Sequence, residues 1–398
     1  MDSGIHWARG CSMHMRQAPL SEAHVRRFVD ELVGDELHVK QIDSLTHSVI
    51  GALVADRAEG AAIGRSAAHV REVSDKHSIK QVDRFLGNEK VDPSRVMRRI
   101  VRRVVANRSE IVVAIDWTEF APDGHSTVSV SMVNANGRAT PLVWKTVASN
   151  RLKGRRARFE DTALWILHNA LPPGVRVTVL GDRGFSDCGL FETLQQKMHF
   201  DFVIRFKAGV IVESVSGERR TGGEWVPGNG RARRLLDVRF TNKKHLLAGA
   251  VFVKRTGMKD SWCLATSRRD DAEAIIALYA RRFDIEHTFR DQKDRRFGFG
   301  LYHSRISTPG RRDRMLLVLV IASMITTLLG AAGEQLGLDR LLRANTQRAG
   351  EEGRTHSLWR QGREYFFGVA RDVLHDVRDM FWKLTHDVFA TDRIYAVL

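Results

Sequence analysis

Residues 1–20 are polar, without an apolar run, and are expected to form a disordered tail. From residue 21 to about 106, apolar positions recur at helical spacing among many charges and no strand alternation appears, so a helical domain is expected over 21–106. Asp92-Pro93 marks a helix start, an N-cap followed by proline, after which Val96, Ile100 and Val104 repeat every fourth residue. Opposite that line runs a basic stripe of Arg95, Arg98, Arg99, Arg102 and Arg103. The pattern then changes. An apolar run from Ile111 to Ile115 ends in Asp116, and strand patterns over 126–133 and 140–147 flank the Asn134-Ala135-Asn136-Gly137 turn, predicting an antiparallel meander. A helix over 158–171 stops at Pro172-Pro173-Gly174. A second apolar strand over 175–182 ends in Asp182, followed by a helix over 187–197 and a strand over 202–206.

The next element that carries a helix-borne acid lies 104 positions beyond Asp182 (286 − 182), too far to follow its strand directly. A β-rich insertion over 207–269 fills the gap, with strand patterns at 210–212, 234–240, 246–253 and 262–265 and breakers at Gly222-Gly223 and 227–230. A helix is expected from 270 to about 295. Residues 315–332 are apolar and uncharged; they pose the question of a membrane span, but Ser323, Thr326, Thr327 and Gly330 favour a buried helix. Beyond it, 341–398 is a C-terminal helical region, with 347–362 polar enough for a loop or linker.

The chain has 398 residues and 43% hydrophobic content, enough for a large core and two or three domains. Lys and Arg number 63 against 47 Asp and Glu, a net charge of +16, with a pI of about 10.2. That surplus favours a polyanionic partner, nucleic acid or an anionic membrane surface. Cys11, Cys188 and Cys263 are scattered and lack metal-ligand spacing, as expected of a reduced cytoplasmic protein.

Chemistry concentrates in the helix over 270–295. At about 100° per residue, Tyr279, Arg282, Glu286 and Lys293 point to about 0°, 300°, 340° and 320°, one face that also carries Ile275 and Phe283. Four polar groups on a core-facing stripe are costly unless something binds them; the alternative is an exposed helix decorated by an i,i+4 ion pair. The strand-end acids Asp116 and Asp182 supply the something. With Glu286 they make three carboxylates, the number and type that hold two divalent ions for phosphodiester displacement. Glu119, Asp187, Asp284 and Asp291 are nearby acids; Asp284 lies about 160° around the helix from Glu286, and Asp187 suits a helix cap. Glu119 is the rival that remains.

At these residues the chain resembles the DDE transposases of bacterial insertion sequences, the IS-four type named for the signature Y-x2-R-x3-E-x6-K, which Tyr279, Arg282, Glu286 and Lys293 match position for position. The resemblance implies an α/β, ribonuclease-H-like mixed sheet over 107–206 and 270–340, the β-rich insertion, and an N-terminal helical DNA-binding domain. Arg84-Phe85, Asn88 and Val91 are similar to that domain's pattern. It implies a catalytic triad of Asp116, Asp182 and Glu286 on two Mg²⁺, which Mn²⁺ can replace. Tyr279, Arg282 and Lys293 would hold phosphates, as would Arg183 unless it pairs with Asp182, and Arg98 and Arg102 would contact DNA unless they are a solvated face. Trp262 corresponds to a tryptophan that stacks on a flipped base during hairpin formation, with Trp225 as second candidate and a core role as the alternative. The implied partners are double-stranded DNA, both transposon ends and target, and a second copy of the chain in the synaptic complex, with no membrane. Another nuclease or resolvase on the same scaffold, or a DNA-binding protein that has lost catalysis, are the competing functions.

Overall fold

The computed structural model describes residues 16–55, 57–295, 298–342 and 356–398; residues 1–15 of the expected tail, with Cys11, and 347–355 of the expected linker lie outside the described residues. Five amphipathic helices come first: α1 (Glu22–Val33), α2 (Val39–Val54), α3 (Gly60–Arg71), α4 (Asp75–Gly87) and α5 (Pro93–Val105). The start of α5 follows its local chemistry. The Asp92 carboxylate accepts the Ser94 N–H, Pro93 takes the first position, and Val96, Met97, Ile100, Val101, Val104 and Val105 are buried.

A ten-stranded mixed sheet follows. Its first strands are β2 (Glu110–Phe120), β3 (His125–Val133), β4 (Ala139–Ala148), β5 (Arg176–Gly181) and β6 (Asp201–Arg205), with the short β1 (Arg16–Gln17) apart from it. The rest are β7 (Ile211–Glu213), β8 (Arg219–Thr221), β9 (Arg233–Phe240), β10 (His245–Val253) and β11 (Trp262–Thr266), in the spatial order β4-β3-β2-β5-β6-β11-β10-β9-β7-β8. Among the described residues, only β2–β5 and β5–β6 pair in parallel. Their apolar runs are buried on both faces, as parallel strands require. Helices α6 (Arg156–Ala170) and α7 (Cys188–Glu192) connect these strands, and α8 (Ala272–Ala280) and α9 (Phe283–Lys293) return across the sheet after β11. The insertion is not a separate body: β11 pairs with β6, Leu264 opposite Arg205, and extends the central sheet.

Four expectations are corrected. Residues 16–20 are held, because β1 pairs with β12 (Val369–Ala370) and Leu20 is buried. The strand that bears Asp116 does not end there but runs to Phe120, since β3 continues alongside it after β5 has stopped. The single helix over 270–295 is two helices; at the junction Arg282 N–H bonds Tyr279 and Ile285 N–H bonds Arg282, i to i+3 contacts that tighten the turn. Finally, residues 358–362 are not linker but the start of α11 (Leu358–Phe367). Gly362 is there for contact: a Cβ on it would lie 1.7 Å from the Thr326 carbonyl oxygen of α10 (Pro309–Gln335).

Helix α10 is long and apolar enough to cross a membrane, but 89% of its apolar window is buried inside the protein. Its neighbours are β4, α2, α4, α11 and α12 (Leu374–Ala390). Likewise α5 packs on α6 and β4. The N-terminal helices and the sheet therefore share one core around α10 and α5.

Candidate active site

The parallel register that pairs Ile115 with Gly181 places Asp116 and Asp182 in the next rung, side by side where β5 ends. Asp116 Oδ1 accepts the Trp117 N–H at 2.8 Å, and Asp182 Oδ1 accepts the Gly184 N–H at 2.8 Å, capping a short turn. Across from them, Arg282 donates to Glu286 Oε1 at 2.6 Å and approaches Asp116 Oδ2 at 3.4 Å. The Arg282 side chain is only 8% exposed, whereas Glu286 is 49% exposed. Burial pushes the Asp116 carboxyl up to about 6, with Asp182 and Glu286 adding to the rise and Arg282 and the Trp117 N–H opposing it. Asp116 thus senses the negative charge of both other acids.

Strand parity sorts the remaining groups. Asp116, Thr118 and Phe120 alternate onto the face toward α9, and Lys293 donates to Thr118 Oγ1 at 3.1 Å with its ammonium 5.4 Å from the ring centres of Phe120 and Tyr302. Burial lowers Lys293 from its ordinary value, with the Glu119 carboxylate opposing the shift and Arg312 adding to it. A cleft of about 490 Å³ opens here, lined by Asp116, Thr118, Glu286, Lys293 and Tyr302 among others. Glu119 falls on the other parity, is 67% exposed and pairs with Arg156 at 3.6 Å. Asp291 pairs with Arg138 at 2.6 Å, Asp284 with Arg281 at 3.6 Å, and Asp187 caps α7.

Tyr279 lies deeper than its signature partners. It is 1% exposed, burial raises its phenol above the ordinary range, and Trp262 meets it edge-on at 4.9 Å. Trp262 is half-buried and lies over Phe283, ring centres 6.1 Å apart at 30°. Trp225, by contrast, is core: it is 3% exposed and its indole N–H donates to the Val212 carbonyl at 3.1 Å. Arg183 is exposed and lines a cleft of about 580 Å³ together with Arg205, Lys207, Lys254 and Lys259. On α5, Arg95 and Arg99 are tied to Glu36 and Asp35, and Arg103 lies over Phe389. Arg98 and Arg102 have no ion pair among the described residues; Arg102 is exposed and Arg98 lines a cleft against α6.

Thr118, Phe120 and Tyr302 are absent from the sequence reading. The first two were accessible to it, because they share the parity of Asp116 once the strand is carried past that residue. Tyr302 follows a turn and has no such signal.

Among the described residues, no group of three or more His, Cys, Asp or Glu side chains is close enough to hold a metal ion as placed. The chemistry of the donors nevertheless suits one. Asp116 stays above its ordinary range even with Arg282 beside it, so the site has room for further positive charge, and hard carboxylate oxygens are what Mg²⁺ prefers. Arg282 is the cation that stands there.

A family model described as a transposase DDE domain matches residues 107–325, a span that contains Asp116, Asp182, Glu286 and Lys293. None of the curated proteins matches the chain.

Proposed function

Because the chain belongs to the transposase DDE domain family, we propose that it binds the terminal inverted repeats of its own insertion sequence and moves that element by cutting and rejoining DNA. The observation that carries the reading is that Asp116 and Asp182 each directly follow the last paired residues, Ile115 and Gly181, of the parallel strands, with Arg282 joining Asp116 to Glu286. The β2–β3–β4 meander followed by parallel β5 and β6 supports a ribonuclease-H-like core.

Asp116, Asp182 and Glu286 would hold two Mg²⁺ or Mn²⁺ ions. When bound, such ions activate the attacking oxygen and stabilise the leaving one in a phosphodiester displacement. The chain's own groups position the substrate. Lys293, held by Thr118 and two aromatic rings, offers a point charge to a phosphate in the cleft, and Arg282 offers a planar fork beside the acids. Tyr279, buried below them, sets Trp262 through their edge contact. Trp262 is the residue suited to receive an unstacked base, and the second-strand cut is assigned to a hairpin route on that ground. Assembly as a dimer on two ends, and a cytoplasmic, nucleoid-associated location, belong to the same reading.

The test is Mg²⁺-dependent nicking of a duplex that carries the inverted repeats flanking the gene. Asp116→Asn, Asp182→Asn and Glu286→Gln should each abolish nicking and leave end binding nearly intact, while Glu119→Gln keeps activity. Wild-type cleavage by any of the three would remove that residue from the triad. Tight end binding by the wild type without any nicking would instead favour a DNA-binding protein that has lost catalysis.

A further inference from the structure

The strongest unassigned feature is a run of cations that spans the loop after β4 and the first turn of α6. Arg151, Lys153, Arg155, Arg156 and Arg158 fall within eight residues, and all five are exposed. Among the described residues, Arg156 is the only one of them with an ion pair, a 3.6 Å contact to Glu119. Exposed like charges crowded this closely repel one another and gain nothing from the fold.

Their position gives them a direction. Arg156 lies 5.2 Å over the ring of Trp117, which lines the active-site cleft and donates its indole N–H to Glu160 of α6 at 2.7 Å. From that rim, α6 leads away from the acids. Arg158, Asp161, Thr162, Trp165 and Asn169 follow at helical spacing along one side of it, and they face Arg98 of α5 across a cleft of about 530 Å³. Asp161 is the single acid in that lining. The track thus starts at Trp117, which lines the cleft but projects from β2 on the parity opposite to Asp116, crosses the loop before α6, and follows α6 to Arg98 of α5.

We propose that this ridge, Arg151, Lys153, Arg155 and Arg158, grips the phosphate backbone of duplex DNA between the active-site cleft and the N-terminal helices. The proposal rests on the transposase reading and adds to it the surface that carries the duplex. From Arg156 to Trp165 the helix rises about 14 Å, close to four base-pair steps at about 3.4 Å each. A duplex laid from the cleft toward α5 therefore passes a handful of phosphates along α6, with Arg151, Lys153, Arg155 and Arg158 at the cleft end of that path.

The experiment measures binding of the full chain, in EDTA, to a 30-base-pair random-sequence duplex and to the single strand of the same sequence, across a salt series. Each phosphate contact contributes a slope of about 0.9 in log affinity against log salt. The fourfold variant R151Q/K153Q/R155Q/R158Q should be shallower than wild type by roughly 3 to 4 on the duplex, while R151K/R155K/R158K keeps the wild-type slope. These side chains are exposed, so an unchanged melting temperature is expected; were it lowered, R155Q and R158Q singly should each reduce the slope by about 1. An unchanged slope in the glutamine variants overturns the proposal, as does a larger loss on single strand than on duplex. Since no metal or cleavage enters the measurement, a chain that nicks ends normally but shows no slope change refutes the ridge alone. A chain that shows the slope change yet never nicks refutes the transposase reading alone.

Discussion

Replacing Asp116 by asparagine should make the metal-free protein more stable while destroying its function, and the pH at which the gain appears is set by the site. Moving a carboxyl from its ordinary 3.8 to about 6 means that folding disfavours the ionised form by about 3 kcal/mol. Below 3.8 the group is protonated folded or unfolded, and no penalty exists. Between 3.8 and about 6 the unfolded chain has released its proton while the folded chain keeps it, so stability falls as pH rises; above about 6 the full penalty is present. Asn carries no charge at any pH. Asp116→Asn is therefore expected to gain up to about 3 kcal/mol at pH 8 and only about 0.5 kcal/mol at pH 4. Loss of the Arg282 contact makes the larger figure a ceiling. Urea unfolding in EDTA at both pH values measures the difference. With Mg²⁺ at ten times its dissociation constant, binding should stabilise the wild type by about 1.4 kcal/mol and the variant by much less. Equal effects at pH 4 and pH 8, or destabilisation at pH 8, would show that Asp116 is not strained by burial and by its acidic neighbours.

Arg282→Ala should destabilise by roughly 2–3 kcal/mol, less than the 3–5 kcal/mol typical of a fully buried broken pair, because Glu286 is 49% exposed; added Mg²⁺ should recover part of the loss, and a melt with no such recovery would argue against a shared cation site. Trp262→Ala, assayed on a pre-nicked end duplex, should form far less hairpin while first-strand nicking persists; equal loss of both with a lowered melting temperature would leave Trp262 as a core residue stacked on Phe283. Gly330→Ala should cost about 1–3 kcal/mol by overpacking, since its Cβ would sit 1.9 Å from the Leu358 carbonyl oxygen; an unchanged urea midpoint would mean that α10 and α11 pack less closely than described.

The elements that position the acids were legible because they obey simple periods. Apolar runs ending at Asp116 and Asp182 mark β2 and β5, and the turn at residues 134–137, with Gly137 at φ +73°, separates β3 from β4. Illegible were features decided by contacts distant in sequence. A period of 100° per residue across 279–293 assumes an unbroken helix, and the break at Arg281–Arg282 is set by partners elsewhere: Asp116 for Arg282, and the Asn134 carbonyl and the Tyr395 ring for Arg281. The same break leaves Tyr279 buried beneath residues it appeared to accompany. Gly362 and the polar residues around it suggest a loop until the crossing with α10 is known, because glycine in a helix is unfavourable locally and useful only where two backbones must approach. A divide near residue 106 looked natural from composition, yet the apolar face of α5 is covered by α6 and β4.

That shared core has a mechanical consequence, concentrated in the first turn of α10. Arg311 reaches Asp83, and Arg314 donates to the carbonyls of Leu86 at 2.6 Å and Val91 at 3.3 Å, so the turn holds the end of α4 and the chain leading to α5. Between them, the fully buried Arg312 pairs with Asp123, donates to His125 at 3.2 Å and lies 3.9 Å over Phe120. Asp313 accepts the Thr146 N–H at 2.9 Å, fixing the same turn to β4. Phe120 in turn faces Lys293. Four consecutive side chains therefore connect the helices expected to grip a transposon end with the ammonium expected to hold the phosphate beside the acids. Breaking a buried ion pair such as Arg312–Asp123 is costly, and close-packed interiors transmit displacement rather than absorb it. A duplex that moved α4 or α5 on binding would move this turn, and the ring under Lys293 with it, and the proposed end recognition would then have a physical route to the cleft.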